Sequence, residues 1–267
     1  MMHAAVRQPA VAGVFYPGTE TDLNQLVDQL LVQSTEPVSL PRHPCAFVVP
    51  HAGLVYSGPI AALVYRQIER WMPLAGWRQV VLLGPNHRVP LSGFAGVAET
   101  NWHTPLGDVA IDLDLERSLQ ARFDLPVRQD AHQLEHCLEV QLPFLQKVAP
   151  DARVLPLLVG HTPVETVSAL IAELWQREDV LVLVSSDLSH FHPWEEARQL
   201  DAQTTRQILN LESVIEPEQA CGCQALNGLL LAARKAELEL HCLGQNTSGD
   251  TAGDKARVVG YGAYVCY

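Results

Sequence analysis

The sequence predicts an α/β protein in which helices cover both faces of a mainly parallel central sheet, giving three layers. Short, fully apolar runs recur along the chain, amphipathic helical segments separate them, and several runs end in turns rich in Gly and Pro. Strands of a parallel sheet are buried on both faces, so they appear as continuous apolar runs. The 267 residues contain no convincing linker and no repeat. We therefore predict a single domain over residues 1–267.

The first half of the chain supplies two strands and four helical segments. A helix is predicted over 22–33 because five apolar residues share one face of a 3.6-residue period: Leu23, Leu26, Val27, Leu30 and Leu31. The apolar runs 45–49 and 80–83 are predicted strands, since each ends at a proline or a glycine. Helical patterns cover residues 59–71, 114–123 and 135–148, the last with Pro143 inside it.

The second half alternates in the same way. An apolar run predicts a strand over 154–159, and the next helix has a well-marked start. Thr162 is its predicted N-cap, Pro163 takes the first position and Glu165 follows three residues after the threonine. Five further segments follow in chain order: a strand over 180–184, helices over 194–209 and 224–236, and alternating strands over 238–243 and 258–266.

Composition limits the function classes. With 18 Lys and Arg against 30 Asp and Glu, the net charge of −12 argues against a general nucleic-acid binder. No apolar run reaches the roughly 18 residues of a membrane span, and the first residues lack the apolar segment of a signal peptide. Six scattered cysteines in a chain with a full core indicate reduced thiols. We therefore expect a cytoplasmic protein without a nucleic-acid or membrane partner.

Polar residues follow four predicted strands directly, and this placement is the strongest functional signal. His51 follows the first strand and His87 the second. Asp187 and His190 follow the strand over 180–184, and Asp250 comes after the strand over 238–243. Ligands of open α/β sheets bind at the carboxyl ends of the strands. Imidazoles with one carboxylate suit a divalent or redox-active metal, and two histidines with a carboxylate are the pattern of non-haem iron(II) sites.

The type and position of these residues predict a role for each of them in a metal site. We predict His51 and His87 as metal ligands, with Asp250 as a candidate third ligand. We predict His190 as an acid or base and Asp187 as an orienting group or a polar anchor. Each has a structural alternative: the two ligand histidines could satisfy backbone groups, Asp187 and His190 could cap a helix, and Asp250 could belong to an ordinary turn.

Other polar residues near these motifs are interpreted as structural. His136 and Glu139 are three residues apart on a predicted helix, which favours a hydrogen-bonded pair beside the site. Cys221 and Cys223 flank a glycine at a helix start, where small residues permit close packing, so we favour packing over redox activity. The motifs of zincins, P-loop NTPases, α/β-hydrolases and dinucleotide-binding dehydrogenases are missing from the sequence.

Taken in order, these motifs resemble those of Memo-like proteins. The matching segments are AGVFYP at 12–17, PHAG at 50–53, GPNH at 84–87, TPLG at 104–107, EHCLEVQLPF at 135–144, SSDLSH at 185–190, ACG at 220–222, TSGD at 247–250 and VGY at 259–261. The resemblance implies a fold shared with class III extradiol ring-cleaving dioxygenases. It also implies that iron or copper binds at positions matching His51 and His87, together with a cysteine. Residues 244–256, where we expect that cysteine, contain none, so Asp250 is the candidate in its place.

Three functions remain open at this stage. The first is a metal-dependent, non-haem iron dioxygenase-like enzyme with an unknown substrate, for which iron is the first choice and copper the second. The second is a non-catalytic module that binds a peptide or a protein in the same pocket, although Arg88 is the only arginine near the pocket motifs. The third is an accessory subunit. The resemblance implies component B of the AmmeMemoRadiSam system, with AMMECR1-like and radical SAM proteins as partners.

Overall fold

The computed structural model describes residues 5–267. In chain order its elements are β1 (Val6–Arg7), α1 (Glu20–Gln33), β2 (Ala46–Val49), α2 (Leu54–Ala75), β3 (Gln79–Gly84), β4 (Phe94–Ala95), β5 (Asn101–Thr104), β6 (Gly107–Ala110), α3 (Leu113–Gln120), α4 (Gln129–His132), a 3-10 turn (Glu139–Gln141), α5 (Leu142–Val148), β7 (Arg153–Val159), α6 (Val164–Leu174), β8 (Val180–Ser185), β9 (His190–His192), α7 (Trp194–Leu209), α8 (Cys223–Lys235), β10 (Leu240–Thr247), a second 3-10 turn (Ser248–Asp250) and β11 (Val258–Cys266).

Four parallel strands form the centre of the main sheet. Its order is β10-β11-β2-β8-β3-β7-β4, with β9 paired to β11. Strands β2, β8, β3 and β7 run parallel, whereas β11, β10 and β4 join antiparallel at the two edges. Strands β1, β5 and β6 form a small separate sheet. The predicted α/β class with a mainly parallel sheet is confirmed.

Both faces of the main sheet carry a hydrophobic core, as the three-layer prediction requires. Residues of β8 alternate between them: Leu181 and Leu183 pack on one side, and Val180, Val182 and Val184 on the other. The first core receives buried residues of α1, α2 and α5, and the second receives those of α3, α6 and α8. None of the helices over residues 5–267 is long and apolar enough to cross a membrane.

The helix predicted over 135–148 is interrupted, because its backbone groups bind side chains instead of one another. Glu135 Oε1 accepts the N–H groups of His136 (2.9 Å) and Cys137 (3.1 Å). The carbonyl oxygens of His132 and Glu135 accept hydrogen bonds from the Arg7 guanidinium. Regular helix therefore begins only at α5, where Pro143 lies in the first turn.

Two predicted helix starts are also corrected. Helix α6 begins at Val164 with Pro163 in the cap position, because the Thr162 hydroxyl turns away to the carbonyl oxygens of Gly93 and Gly160. Helix α2 begins at Leu54, five residues before the predicted start at Pro59, which the helix contains. The helix predicted over 194–209 has those bounds in α7.

A buried ion pair ties the amino-terminal segment to the 132–139 segment. Arg7 Nη1 lies 2.6 Å from Glu139 Oε2, and the two side chains are 4% and 0% exposed. Glu139 also accepts hydrogen bonds from the Tyr16 hydroxyl (2.6 Å) and from the N–H groups of Ala10 and Val11. The Arg7 guanidinium stacks on the Trp102 ring at 4.3 Å. Glu139 is therefore part of this anchor, and its predicted pairing with His136 is wrong.

We predict that Arg7→Ala lowers the free energy of unfolding by about 3–5 kcal/mol, because it leaves the buried Glu139 carboxylate unpaired. Urea unfolding measures this loss. The control is Arg117→Ala, which removes an exposed ion pair with Asp114 on α3 and should change stability by less than about 0.5 kcal/mol. A loss below about 1 kcal/mol for Arg7→Ala would contradict a stabilising role for the pair.

A second buried carboxylate makes stability depend on pH. Glu116 is 2% exposed, and burial raises its pKa to about 7. Its stabilising contribution is therefore complete below about pH 4.5 and is lost as the pH rises through 7. We predict that Glu116→Gln removes this loss, so that between pH 5 and pH 8.5 the wild type declines relative to the variant by up to about 3 kcal/mol. Denaturant midpoints at the two pH values test it, and parallel declines would contradict the assignment.

Candidate metal centre

Three histidines meet at the carboxyl edge of the sheet. His51 follows β2, His87 follows β3, and His136 lies in the turn before the first 3-10 helix. One ring nitrogen from each lies within 4.8 Å of the other two. Metal–nitrogen bonds of about 2.1 Å place ligand atoms roughly 3–4 Å apart, so this spacing is close to what one ion requires. A second candidate group shares His87 and adds Glu135 and Cys137.

The hydrogen bonds of His51 fix which of its ring nitrogens carries the hydrogen. The Ser185 hydroxyl donates its only hydrogen to the Cys137 carbonyl oxygen at 2.7 Å. It must therefore accept from His51 Nδ1, which lies 2.9 Å away. Nδ1 carries the hydrogen and Nε2 keeps the lone pair that a metal needs. Burial, reinforced by the positive charges of His87 and His136, lowers the pKa of His51, which favours the neutral ligand form.

His87 is oriented in the same way by a carboxylate. Its Nδ1 donates to Glu135 Oε1 at 2.9 Å, and its backbone N–H donates to Oε2 at 2.6 Å. Because the carboxylate only accepts, Nδ1 carries the hydrogen of this contact, and Nε2 is the nitrogen left for a metal when the ring is neutral. Burial alone would raise the pKa of Glu135, but the imidazole nitrogens of His136 and His87, close to its carboxylate, hold the pKa well below its usual value. A carboxylate behind a metal-facing imidazole is a common arrangement in metal sites.

His136 completes the group and was missed as a ligand. Its ring stacks on that of His87 at 4.8 Å and packs against Phe15 at 4.6 Å. Its Nδ1 lies 3.1 Å from Glu135 Oε1, but the angle is too poor for a hydrogen bond. His136 does not follow a strand, so the rule that identified His51 and His87 could not find it.

A thiol also lies at the site, and it comes from Cys221. Its Sγ is 3.2 Å from His51 Nε2 and accepts the N–H of Asp187 at 3.3 Å. The thiol is protonated, because burial raises its pKa far above the usual value. Gly222 lets this turn approach β8, since a Cβ there would lie 2.7 Å from the Ser185 carbonyl oxygen. A sulfur atom therefore lies beside His51, and it comes from a residue that we had interpreted as packing.

Asp187 and His190 lie beside the histidines. Asp187 is 4% exposed and accepts the His51 N–H at 2.7 Å, and burial raises its pKa to about 7. His190 begins β9, and burial, with a further contribution from the positive charge of His87, lowers its pKa. Neither caps α7, which begins at Trp194 with Pro193 in the cap position.

Asp250 lies elsewhere and belongs to neither candidate metal group within residues 5–267. Its Oδ1 accepts from Trp194 Nε1 at 2.7 Å, and its Oδ2 accepts from the N–H and hydroxyl of Thr247. Strand β10 continues to Thr247, four residues past its predicted end. The 3-10 turn that follows it places Asp250 against Trp194 of α7.

The fold and the histidine group define the class of the protein: a three-layer α/β protein with a candidate metal centre at the carboxyl edge of its sheet. A sequence model described as Memo-like protein matches residues 7–265, and the chain belongs to that family.

Relatives at moderate identity cover nearly the whole chain. A MEMO1 family protein of Aquifex aeolicus is 39% identical over 96% of this chain and 97% of its own. One of Sulfurisphaera tokodaii is 34% identical, again over 96% and 97%. The crystal structure of an uncharacterized protein of Escherichia coli, JW3007, superposes with a TM-score of 0.51 at 15% identity, covering 84% of this chain and 100% of that one. This last likeness supports the fold alone.

We predict that Glu135→Gln weakens metal affinity about 10- to 100-fold, because the amide no longer accepts both hydrogen bonds from His87. Competition with a chelating dye for cobalt(II) measures the affinity. Glu116→Gln is the matched control, since it neutralises a buried carboxylate on α3 that contacts Gly96. Equal affinities in wild type and Glu135→Gln would exclude an orienting role for this carboxylate.

Proposed function

We propose that this protein is a metal-dependent oxidoreductase of the non-haem iron, dioxygenase-like type. The observation that carries the proposal is the convergence of His51, His87 and His136, two of which have Nδ1 bound to a protein acceptor, which leaves Nε2 as the atom for a metal. Imidazole donors suit iron, with copper as the alternative, and the bound ion would supply the redox chemistry. The substrate is a small molecule or a peptide that reaches the partly exposed His87 side of the pocket.

His136 is the third ligand that we propose, and Cys221 is the alternative. The choice has a chemical consequence, because an all-imidazole set favours iron(II) whereas a thiolate favours copper(I). His136 stands in the three-histidine group, but Cys221 Sγ lies 3.2 Å from His51 Nε2. A metal that displaces the thiol proton would draw this sulfur into the same site.

The remaining side chains would hold and move protons. Asp187 fixes the turn after β2 by accepting the His51 N–H. His190, kept largely neutral by burial, would act as the base that takes a proton from the substrate. Glu135 holds His87 in position from behind.

Metal content tests the proposal. Protein is equilibrated anaerobically with iron(II) or copper(I), and bound metal is counted per chain. We expect about one ion in the wild type and none in His51→Ala/His87→Ala, because two of three ligands are gone. His136→Ala and Cys221→Ser distinguish the third ligand, since only loss of a true ligand weakens binding strongly. His103→Ala, an exposed histidine paired with Asp108, is the control.

Full metal retention in the double variant would overturn the metal assignment. A second candidate function, a peptide- or protein-binding module, would then be favoured. One observation supports it: the exposed Phe191 ring lies 5.7 Å from the ring of His190, and the Arg257 guanidinium stacks over Phe191 at 5.1 Å. The pocket thus has a neighbouring arginine that the sequence did not indicate. A peptide-dependent rise in melting temperature without metal would support this module. Co-purification with AMMECR1-like or radical SAM proteins would instead support an accessory subunit.

A further inference from the structure

A buried chain of four side chains leads from the core to His51. The Tyr65 hydroxyl donates to Gln141 Oε1 at 2.7 Å, and Gln141 Nε2 donates to Ser185 Oγ at 3.0 Å. The same Ser185 oxygen accepts from His51 Nδ1 at 2.9 Å. None of the four residues is more than 1% exposed. Polar groups at this depth are costly to leave unpaired, so each bond constrains the next one in the chain.

The Pro50 carbonyl fixes the orientation of the Gln141 amide. This oxygen can only accept, and it lies 2.9 Å from Gln141 Nε2. Exchanging the amide nitrogen and oxygen would place two acceptors against each other. Nε2 therefore gives one hydrogen to Pro50 and the other to Ser185, and Oε1 is left to accept the Tyr65 hydroxyl. Burial raises the pKa of Tyr65, so the phenol keeps the hydrogen that it donates.

Ser185 has every hydrogen-bonding position occupied as a result. Its single hydrogen goes to the Cys137 carbonyl oxygen at 2.7 Å, and its two lone pairs receive Gln141 Nε2 and His51 Nδ1. Cys137 directly follows His136, the proposed third ligand. One hydroxyl group therefore holds the His51 ring and the backbone beside His136 together.

We propose that Gln141 is a positioning residue of the metal centre, which sets the place of His51 relative to His136. This inference rests on the proposed function of the two histidines as metal ligands. Gln141 ends the 3-10 turn that follows His136, so it belongs to the segment that carries this ligand. Its amide holds the main chain just before His51 through Pro50, and it holds the His51 ring through Ser185.

The test measures the affinity of the full chain for cobalt(II), whose visible absorption depends on the geometry of its ligands. Gln141→Met keeps the length of the side chain but removes its three hydrogen bonds. We expect an affinity about 10- to 100-fold lower than in the wild type, as for other residues that orient metal ligands from behind. We also expect an altered cobalt(II) spectrum, because the ligands no longer keep their relative positions.

Gln146→Met is the matched control, because Gln146 makes a similar set of contacts away from the histidines. Its Oε1 accepts the Thr104 hydroxyl at 2.6 Å, and its Nε2 donates to the Gly107 carbonyl oxygen at 3.1 Å. Urea midpoints of both metal-free variants measure the loss of stability, which we expect in each of them. Affinity and spectrum should change only in Gln141→Met. Equal losses of affinity in the two variants would show a general loss of packing and overturn the proposal.

Tyr65→Phe is the second variant, since it removes one hydroxyl and keeps the ring that stacks on Phe144 at 4.6 Å. Loss of the donor to Gln141 Oε1 should lower cobalt(II) affinity about two- to tenfold, the equivalent of one hydrogen bond. Wild-type affinity in Gln141→Met, or in Tyr65→Phe where Gln141→Met does not fold, would overturn the inference and leave the metal centre in place. A wild-type chain that binds no cobalt(II) would overturn the proposed function and the inference with it.

Discussion

The buried ion pair of Arg7 and Glu139 is the interaction on which the geometry of the candidate metal centre depends. Burying two charges is costly, and the cost is offset only if nearly every polar atom finds a partner. Here Glu139 accepts from Arg7, Tyr16 and two backbone N–H groups, while Arg7 also donates to two carbonyl oxygens. Those carbonyls belong to the segment 132–135, so the same contacts that satisfy the charges also set the path of the chain into His136.

This course of the chain has a chemical consequence, because it places the Glu135 carboxylate where it accepts hydrogen bonds from His87. In a regular helix the N–H groups of His136 and Cys137 would bind carbonyl oxygens four residues earlier. Here Glu135 accepts both, and its second oxygen reaches the backbone of His87. One carboxylate therefore ends the helix, fixes the turn after β3 and orients an imidazole. The same side chain therefore interrupts the helix and positions a histidine of the candidate site.

The sequence predicts what depends on local pattern and misses what depends on distant partners. Apolar runs identify the central strands, and the rule of strand ends brings His51, His87, Asp187 and His190 to one edge of the sheet. His136 is missed because Arg7, over a hundred residues away, decides the path of its segment. Cys221 is missed because its approach to His51 spans 170 residues and shows no periodicity. Asp250 was placed with the histidines because β10 was predicted to end at 243, whereas pairing with β11 carries it to Thr247.

The metal centre and α7 are connected by one structural element, the turn 187–190. Asp201, on α7, accepts the Ser189 N–H, and backbone hydrogen bonds join Leu188 and Ser189 to Gly260. A Cβ at Gly260 would lie 1.8 Å from Asp201 Oδ2, so this carboxylate has its place only because residue 260 is glycine. Since Asp187 in turn accepts the His51 N–H, two hydrogen bonds, one from Ser189 to Asp201 and one from His51 to Asp187, connect α7 to the histidine site through this turn.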